Sequence, residues 1–328
     1  MALRIGFLGV AHMHAWGYAH GLKSRTDAQA VAVYEADPAM AERFANDFGV
    51  ERCASPEALL DAADALIVCS ENMLHAEYVE LAASRRKPTL CEKPLAPNAE
   101  HARRIATAVE ASGMLLMTAF PCRFSPAYRK LKERVANGDI GKLRAVCATN
   151  RGSCPGGWFV QVEHSGGGAM IDHVVHVADL LHDLLGEEPV RVQAQTGHNM
   201  YGETWEDTAM LTLEYPCGVF ATLDSSWSRP KSYKTWGDVT MNVVGEAGVI
   251  EMDMFGWGAD LYRNADMRHT HAGYGSNLDA LLVDGFLAAV RGDGPAVPSV
   301  GDGLAAARVA LAGYASAAQG GAPVALAI

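Results

Sequence analysis

The chain has 328 residues, 49% of them hydrophobic, and a formal net charge of -11 at pH 7. Its length exceeds the usual size of one hydrophobic core, so we expect two globular domains with enough apolar side chains to fill both. An acidic chain without a basic cluster excludes nucleic acid and anionic membrane surfaces as expected partners, because both require concentrated Lys and Arg.

No run of the sequence approaches the ~18 apolar residues of a membrane span, and the first residues lack the long apolar core of a signal peptide. These two observations predict a cytoplasmic protein with no membrane partner. The seven cysteines are an odd number without a Cys-x-x-Cys spacing, which favours free thiols over disulfide bonds.

The first 121 residues alternate predicted strands and helices. Apolar runs predict strands at 3–9, 30–35, 65–70, 89–91 and 114–119, and helical spacing predicts helices at 14–24, 38–48, 75–86 and 98–112. Such alternation requires right-handed crossovers, so the fold class is α/β with an N-terminal Rossmann domain, a doubly wound parallel sheet. We place this domain at residues 1–121.

The turn after the first strand is where a dinucleotide is expected to bind. The fingerprint Gly-x-Gly-x-x-Gly corresponds here to Gly9-Val-Ala-His-Met-His14, so only the first glycine is present. Ala11 adds a methyl group where the diphosphate requires close approach, and His12 and His14 place two imidazoles beside it. The motif alone fits either a cofactor loop or a plain strand-to-helix turn.

A carboxylate at the end of the second strand favours NAD. Glu35 follows the loop by about 20 residues, where it can accept both ribose hydroxyls of the adenosine. Its charge repels a 2'-phosphate and no Arg follows directly, so NAD is favoured over NADP. Asp37 is the competing candidate, or it caps the helix that begins at Pro38.

A lysine follows the predicted strand at 89–91. Glu92-Lys93-Pro94 stands at the carboxyl edge of the expected sheet, where a side chain faces a cleft. Pro94 biases Lys93 toward an extended backbone, which holds the amine in one direction. The motif therefore predicts a catalytic amine, or else an ordinary Glu-Lys pair at a strand end.

The second half has a different pattern. Strands are predicted at 142–150, 190–197, 209–214, 219–225, 238–244 and 249–254, with turn sequences at 215–218 and 245–248 that imply antiparallel neighbours. We expect an α+β domain at 122–328 with a large, mostly antiparallel sheet. The C-terminal helices predicted at 278–291 and 302–318 can pack back on the first domain. Few helices remain to cover the sheet, so we expect a homo-oligomer, dimer or tetramer, formed through it.

One predicted helix of this half carries titratable residues. Asp172 and His176 are four residues apart and share a helix face, with Asp179 one turn later. A neighbouring carboxylate fixes the tautomer of a histidine, as an acid-base group requires. The alternative is a structural pair, with Asp172 stabilised near the helix start. A zinc site from His164, Asp172 and His176 lacks the usual ligand motifs, so we predict no metal.

Together these motifs resemble the Gfo/Idh/MocA oxidoreductases, the family of glucose-fructose oxidoreductase and inositol dehydrogenase. The resemblance spans nearly the whole chain. In chain order it rests on the turn at Gly9, Asn72, His75, Glu92-Lys93-Pro94, Arg123-Phe124-x-Pro126, Gly138-x-Ile140-Gly141, Gly166-Gly167-Gly168 and Asp172-x-x-x-His176-x-x-Asp179.

The resemblance implies an NAD(P)-dependent dehydrogenase acting on a CH-OH group of a sugar, cyclitol or related polyol, with the nicotinamide between the two domains. It implies that Lys93 and His176 handle the proton and that Asp172 holds a substrate hydroxyl, with Arg123 as a further substrate contact. The candidate cofactor-binding residues are Gly9, Ala11, His12, His14, Glu35, Asn72, His75, Glu92 and Lys93.

Two other functions remain open at this point. A member of the family can use bound NAD transiently, oxidising a sugar carbon so that elimination or glycosidic cleavage follows without net NADH. A non-catalytic regulator that senses NAD or a sugar is the third reading, against which the intact Lys93, Asp172 and His176 argue.

Overall fold

Six parallel strands form the first sheet of the protein, in a computed structural model that describes residues 2–273 and 275–326. The strands are β1 (Leu3–Leu8), β2 (Ala28–Tyr34), β3 (Glu51–Arg52), β4 (Ala65–Val68), β5 (Thr89–Cys91) and β6 (Leu116–Thr118). They pair in the order β3-β2-β1-β4-β5-β6. The order reverses between β1 and β4, where a doubly wound sheet binds its ligand. The predicted parallel sheet is confirmed.

Five helices connect these strands. They are α1 (His14–Lys23), α2 (Pro38–Phe48), α3 (Pro56–Ala62), α4 (His75–Ser84) and α5 (Ala99–Ser112). The side chains of Asp37, Ser55 and Asn98 cap the first turns of α2, α3 and α5. In contrast, α1 has no side-chain cap at Met13 and no acidic residue in its first turn.

The core of this sheet lies on both of its faces. All four residues of β4 are buried, as are Ile5 to Leu8 of β1. Phe7 packs against Phe44 of α2 with ring centroids 4.9 Å apart. Continuous apolar runs of this kind belong to parallel strands that helices cover on both sides.

The second half contains the remaining elements. They are α6 (Pro126–Ala136), β7 (Leu143–Arg151), α7 (Val162–Ser165), α8 (Ala169–Leu185), β8 (Arg191–Gly197), β9 (Thr208–Glu214), β10 (Phe220–Ser226), β11 (Thr240–Gly245), β12 (Val249–Asp253), β13 (Gly258–Arg263), β14 (Arg268–Gly273), α9 (Leu278–Arg291), α10 (Val300–Ala318) and β15 (Val324–Ala325). Seven strands pair in the order β12-β11-β7-β10-β9-β8-β15, and β13 pairs with β14.

The seven-stranded sheet is mostly antiparallel, which confirms the predicted fold class. The exception is the parallel pair β7 and β10. Along β9, Ala209, Leu211 and Leu213 are buried, whereas Met210 between them is 57% exposed. Helix α8 packs against β7, β9 and β10, so one face of the sheet is covered and the other is open.

Several predicted boundaries shift by one to several residues. The strand predicted at 30–35 ends at Tyr34, so Glu35 lies just outside it. The hairpin of β13 and β14 was missed because its residues are almost all exposed and show no apolar alternation. β3 and β15 have two residues each, too few to show a period.

Contacts between residues divide the chain into two units that are each discontinuous in sequence. The first comprises Met1–Pro121, Gly157–Gly166 and Leu278–Ala307, and the second comprises Cys122–Gly156, Gly167–Asn277 and Arg308–Ile328. In the first unit α9 packs on α1. Within the described ranges, none of the helices has both the length and the apolar character needed to cross a lipid bilayer.

Candidate active site

The loop after β1 lies at the switch point of the parallel sheet. Gly9 has a φ of 77°, and a Cβ atom there would lie 2.5 Å from the Cβ of Ser70, so both backbone and space require glycine. The backbone amide of His12 donates to the carbonyl of Cys69 at 2.8 Å. The loop is therefore fixed to the chain that follows β4, as a cofactor loop between β1 and β4 requires.

Glu35 lies beside this loop. Its Oε2 accepts the amide hydrogen of Val10 at 2.7 Å, and its Oε1 accepts that of Asp37 at 3.0 Å. Asp37 itself caps α2 by accepting from the amide of Ala39 at 2.9 Å. Each carboxylate oxygen accepts two hydrogen bonds, so Glu35 keeps acceptor capacity for ribose hydroxyls while Asp37 serves the helix.

Asn72 and His75 lie at the start of α4. The Asn72 side chain donates from Nδ2 to the carbonyl of Ser165 at 2.7 Å, and its buried Oδ1 has no hydrogen-bond partner within the described part of the chain. His75 Nδ1 lies 3.0 Å from the carbonyl oxygen of Pro94, so Nδ1 carries a proton. Burial lowers the pKa of His75, and its neutral ring holds the turn that follows Lys93.

Glu92 is the centre of a buried cluster next to Lys93. Its Oε1 accepts hydrogen bonds from the Tyr18 hydroxyl at 2.5 Å and from His14 Nδ1 at 3.1 Å. Its Oε2 accepts the backbone amide hydrogen of Lys93 at 3.0 Å. Burial alone would raise the pKa of Glu92, but His12, His14 and Lys93 outweigh it and lower that pKa. The carboxylate is therefore ionised although it is 0% exposed.

His14 shares in this cluster from the first residue of α1. Burial disfavours its imidazolium, but the carboxylates of Glu92 and of Asp279 on α9 outweigh burial and raise the pKa of His14. The pKa of Asp279 is itself raised, chiefly by burial. When His14 is protonated, it forms an ion pair with Glu92 at the N-terminus of α1.

Two aromatic residues cover the cofactor loop. Trp158 donates from Nε1 to the carbonyl of Ala11 at 3.1 Å, and Phe159 meets the ring of His12 edge-on with centroids 5.3 Å apart. The rings of Trp158 and Phe159 stack at 3.9 Å. Both residues belong to the short segment 157–166 of the first unit.

In the described part of the chain, His12, His14 and Glu92 form a group whose potential metal-ligating atoms lie within 4.8 Å of one another. This is not the set His164, Asp172 and His176 that the sequence suggested as an alternative. His12 Nδ1 accepts the amide hydrogen of His14 at 3.2 Å, and Glu92 Oε1 accepts that of the Tyr18 hydroxyl. Because protein donors already occupy these atoms, we interpret the group as a hydrogen-bonded ion cluster.

The second unit presents its titratable residues on α8. The helix is capped from outside, because Glu206 Oε1 accepts from the amides of Gly168 at 2.9 Å and Met170 at 3.1 Å. A Cβ atom on Gly168 would lie 2.1 Å from the backbone oxygen of Glu206, so the glycine permits this approach. Tyr314 donates its hydroxyl hydrogen to the same Glu206 oxygen at 2.6 Å.

Asp172 lies in the first turn of α8 and is buried. Trp227 donates from Nε1 to its Oδ2 at 3.1 Å, and His173 Nε2 lies 3.2 Å from the same oxygen. His173 Nδ1 contacts the carbonyl of Asn150 at 2.9 Å. Successive residues of a helix point about 100° apart, but the fold still packs the ring of His173 against the Asp172 carboxylate.

His176 follows one turn later, 9% exposed, with Nδ1 3.9 Å from the thiol of Cys122. Arg123 forms a forked ion pair with Asp179 of α8. Its Nε donates to Oδ2 at 2.8 Å, and its Nη2 lies 2.7 Å from Oδ1. A third contact joins it to Asp183 at 3.3 Å. The contact of Arg123 with substrate stays a prediction, and the observed pairing favours a structural role.

Sequence reasoning missed three residues of these clusters: Tyr18, Trp227 and Asp279. Tyr18 had a readable signal, since it lies four residues after His14 on the same helix. Trp227 and Asp279 come from distant segments, and no local spacing connects them to Asp172 or His14.

Family models match both halves of the chain. Residues 3–120 match an oxidoreductase family with an NAD-binding Rossmann fold, and residues 128–251 match the GFO/IDH/MocA C-terminal domain. The matched ranges contain Lys93, Asp172 and His176.

Relatives are similar over most of their length. The chain is 29% identical to inositol 2-dehydrogenase of Rhizobium meliloti (strain 1021), over 97% of this chain and 98% of that protein. It is 29% identical to 2,7-anhydro-N-acetylneuraminate hydratase of Escherichia coli (strain K12), over 77% of this chain and 68% of that protein. A crystal structure from Sinorhizobium meliloti 1021, described as a candidate myo-inositol dehydrogenase, superimposes with a TM-score of 0.84 at 26% identity, over 99% of this chain and 100% of that one.

Proposed function

Because the chain belongs to the Gfo/Idh/MocA family of NAD-binding oxidoreductases, we propose that it oxidises a secondary alcohol of a sugar, cyclitol or related polyol. The observation that carries this proposal is the lysine at the carboxyl end of β5. Lys93 is 5% exposed, and its backbone is held by the ionised Glu92. The relative that is an inositol 2-dehydrogenase supports a cyclitol or sugar as substrate.

The first unit has the features that NAD requires. Gly9 permits close backbone approach, and Glu35 retains acceptor capacity for the ribose. The buried Oδ1 of Asn72 is a further acceptor within the described residues. When bound, NAD supplies the hydride acceptor of the reaction.

The chain's own residues handle the proton. Oxidising an alcohol requires a base within hydrogen-bond reach of the hydroxyl. We assign this role to Lys93 and His176, and we assign to Asp172 the orientation of a substrate hydroxyl. The contact of Trp227 with one oxygen of Asp172 fixes the carboxylate in position.

The test is NADH formation by the purified protein with NAD and a panel of inositols, aldoses and aldonic acids. We expect NADH with at least one polyol, and Lys93→Ala should lower kcat by about a hundredfold or more, the usual contribution of a general base. Lys130→Ala is the matched control, because Lys130 is exposed and pairs with Glu133, an equally exposed residue on the same helix. If NAD binds but no polyol yields NADH, the dehydrogenase proposal is wrong.

A second candidate function is transient redox with bound NAD, followed by elimination or addition of water. The observation in its favour is the relative named as a hydratase. Here a substrate would disappear and a product would accumulate, detected by mass spectrometry, without net NADH. A regulator would instead bind NAD and consume no substrate, which separates the third reading from both enzymes.

The proposal includes a homo-oligomer and a cytoplasmic location. On the open face of the seven-stranded sheet, Met210 and Phe220 are 57% and 52% exposed, and a second copy of the chain would cover them. None of the seven cysteines forms a disulfide bond, as expected in a reducing compartment, where NAD turnover also takes place.

A further inference from the structure

We propose that His14 is a positioning residue of the reaction, which holds Glu92 so that Glu92 in turn fixes the backbone of Lys93. The inference rests on the proposed function, since it assigns His14 a part in the work of Lys93. A consequence is that turnover falls when His14 loses its proton.

The geometry of the Glu92 carboxylate connects His14 with the backbone of Lys93. Glu92 uses one oxygen for two side-chain donors, Tyr18 and His14, and the other for the amide of Lys93 at 3.0 Å. The two oxygens are rigidly linked, so the donors on Oε1 decide where Oε2 lies. Losing one of these donors frees the carboxylate to rotate away from the Lys93 amide.

The Glu92 carboxylate also carries a buried negative charge. A carboxylate that is 0% exposed requires compensating positive charge, or it takes up a proton. Tyr18 cannot supply charge, because burial and the Glu92 anion raise its pKa and keep it a neutral donor. Positive charge must come from Lys93 or a histidine.

The two histidines beside Glu92 lie at different distances from its carboxylate. His12 Nδ1 accepts the amide hydrogen of His14 at 3.2 Å and lies 3.9 Å from Glu92 Oε1, too far for a hydrogen bond. His14 Nδ1 instead faces the carboxylate of Glu92 at 3.1 Å, where a proton is favoured. His14 is therefore the imidazole of the pair whose protonation balances Glu92.

The position of His14 in the first turn of α1 supports a functional role for this residue. A cation in the first turn of a helix opposes the helix dipole, and α1 offers no acidic residue there. The compensating carboxylates come from other elements, Glu92 after β5 and Asp279 on α9. A residue that breaks a local preference and is supported from elsewhere is typical of a functional site.

The charged groups around His14 decide the pH dependence of its protonation. Glu92 and Asp279 raise the pKa of His14, burial and Lys93 lower it, and the balance raises it above its ordinary value of 6.5. Tyr18 on α1 and His12 in the loop also lie beside His14. His14 is thus protonated below this raised pKa and loses its charge as the pH rises through it.

The experiment measures kcat and KM across pH for the wild type, His14→Gln and Tyr18→Phe. Glutamine retains an N–H donor but cannot carry the proton. We expect the wild-type kcat to fall about tenfold as pH rises through the pKa of His14, the size of a weakened hydrogen bond to a charged group. The kcat of His14→Gln should be about tenfold lower at low pH and should not show this fall of kcat with rising pH, the high-pH limb of the profile. Its KM for the polyol should be unchanged.

Tyr18→Phe should be slower but keep the limb, since His14 remains. The matched control is His20→Gln on the exposed side of α1, which should behave as the wild type. A limb that persists in His14→Gln overturns the inference. The inference is also overturned if the protein contains a stoichiometric metal that a chelator removes and whose binding requires His12, His14 and Glu92. A wild type that yields no NADH refutes the proposed function itself, whereas an active wild type matched by His14→Gln refutes only this inference.

Discussion

Arg123 and Asp179 form a forked ion pair whose side chains are 9% and 0% exposed. Removing one partner of a buried pair leaves a charge without its counter-ion, which costs about 3–5 kcal/mol. We therefore expect Asp179→Asn to lower the free energy of unfolding by about 3 kcal/mol, measured by urea denaturation.

The control for this prediction is the exposed pair of Lys130 and Glu133, where Lys130→Met should change stability by less than about 1 kcal/mol. A further variant, Arg123→Lys, separates a structural role of Arg123 from a contact with substrate. If Arg123→Lys keeps wild-type stability but raises KM for the polyol, Arg123 contacts substrate and the structural interpretation is wrong.

Single residues show where sequence reasoning reaches its limit. Gly9 and Lys93 could be placed at the switch point because chain order alone decides which strand ends meet there. The partners of Glu92 could not be predicted, since Tyr18 lies 74 residues away and its contact with Glu92 depends on how α1 packs. Local spacing reports the face of one element, whereas such contacts depend on the packing of two.

Among the elements, α8 depends on a cap that its own sequence does not provide. Glu206 accepts from two amides at the start of the helix, at 2.9 and 3.1 Å, and Tyr314 holds the carboxylate. Losing this cap leaves amide hydrogens without an acceptor and removes a negative charge near the positive end of the dipole. We expect Glu206→Ala to lower the free energy of unfolding by about 1–3 kcal/mol, measured by thermal unfolding followed by circular dichroism.

Glu203→Ala is the control for this prediction, because Glu203 is an exposed acid in the same segment. An equal loss of stability in both variants would contradict the capping role. The pattern of strands and helices predicted both sheets, but an external cap of this kind has no signature in the helix sequence. The exposed hairpin of β13 and β14 escaped prediction for a related reason, since it lacks a buried face.

At the scale of the whole molecule, the open face of the second sheet predicts association. We expect the wild type to elute as a dimer or tetramer in size-exclusion chromatography with light scattering. Met210→Lys should shift it toward the monomer, because a charge is placed in the apolar interface. Met200→Lys is the control, since Met200 is also 50% exposed but lies outside the strands. If the wild type elutes as a monomer, the proposal of a homo-oligomer is wrong.

The passage of the chain between its two units, at residues 121, 156, 166, 277 and 307, limits how the protein can be dissected. A fragment ending at residue 121 would lose α9, which packs on α1, and Ser299, whose carbonyl accepts the Thr118 hydroxyl at 3.1 Å. It would also lose the segment that carries Trp158. A nucleotide-binding module cannot therefore be excised from this gene by a single cut, and grafting it into another protein would require a circular permutation or three separate pieces.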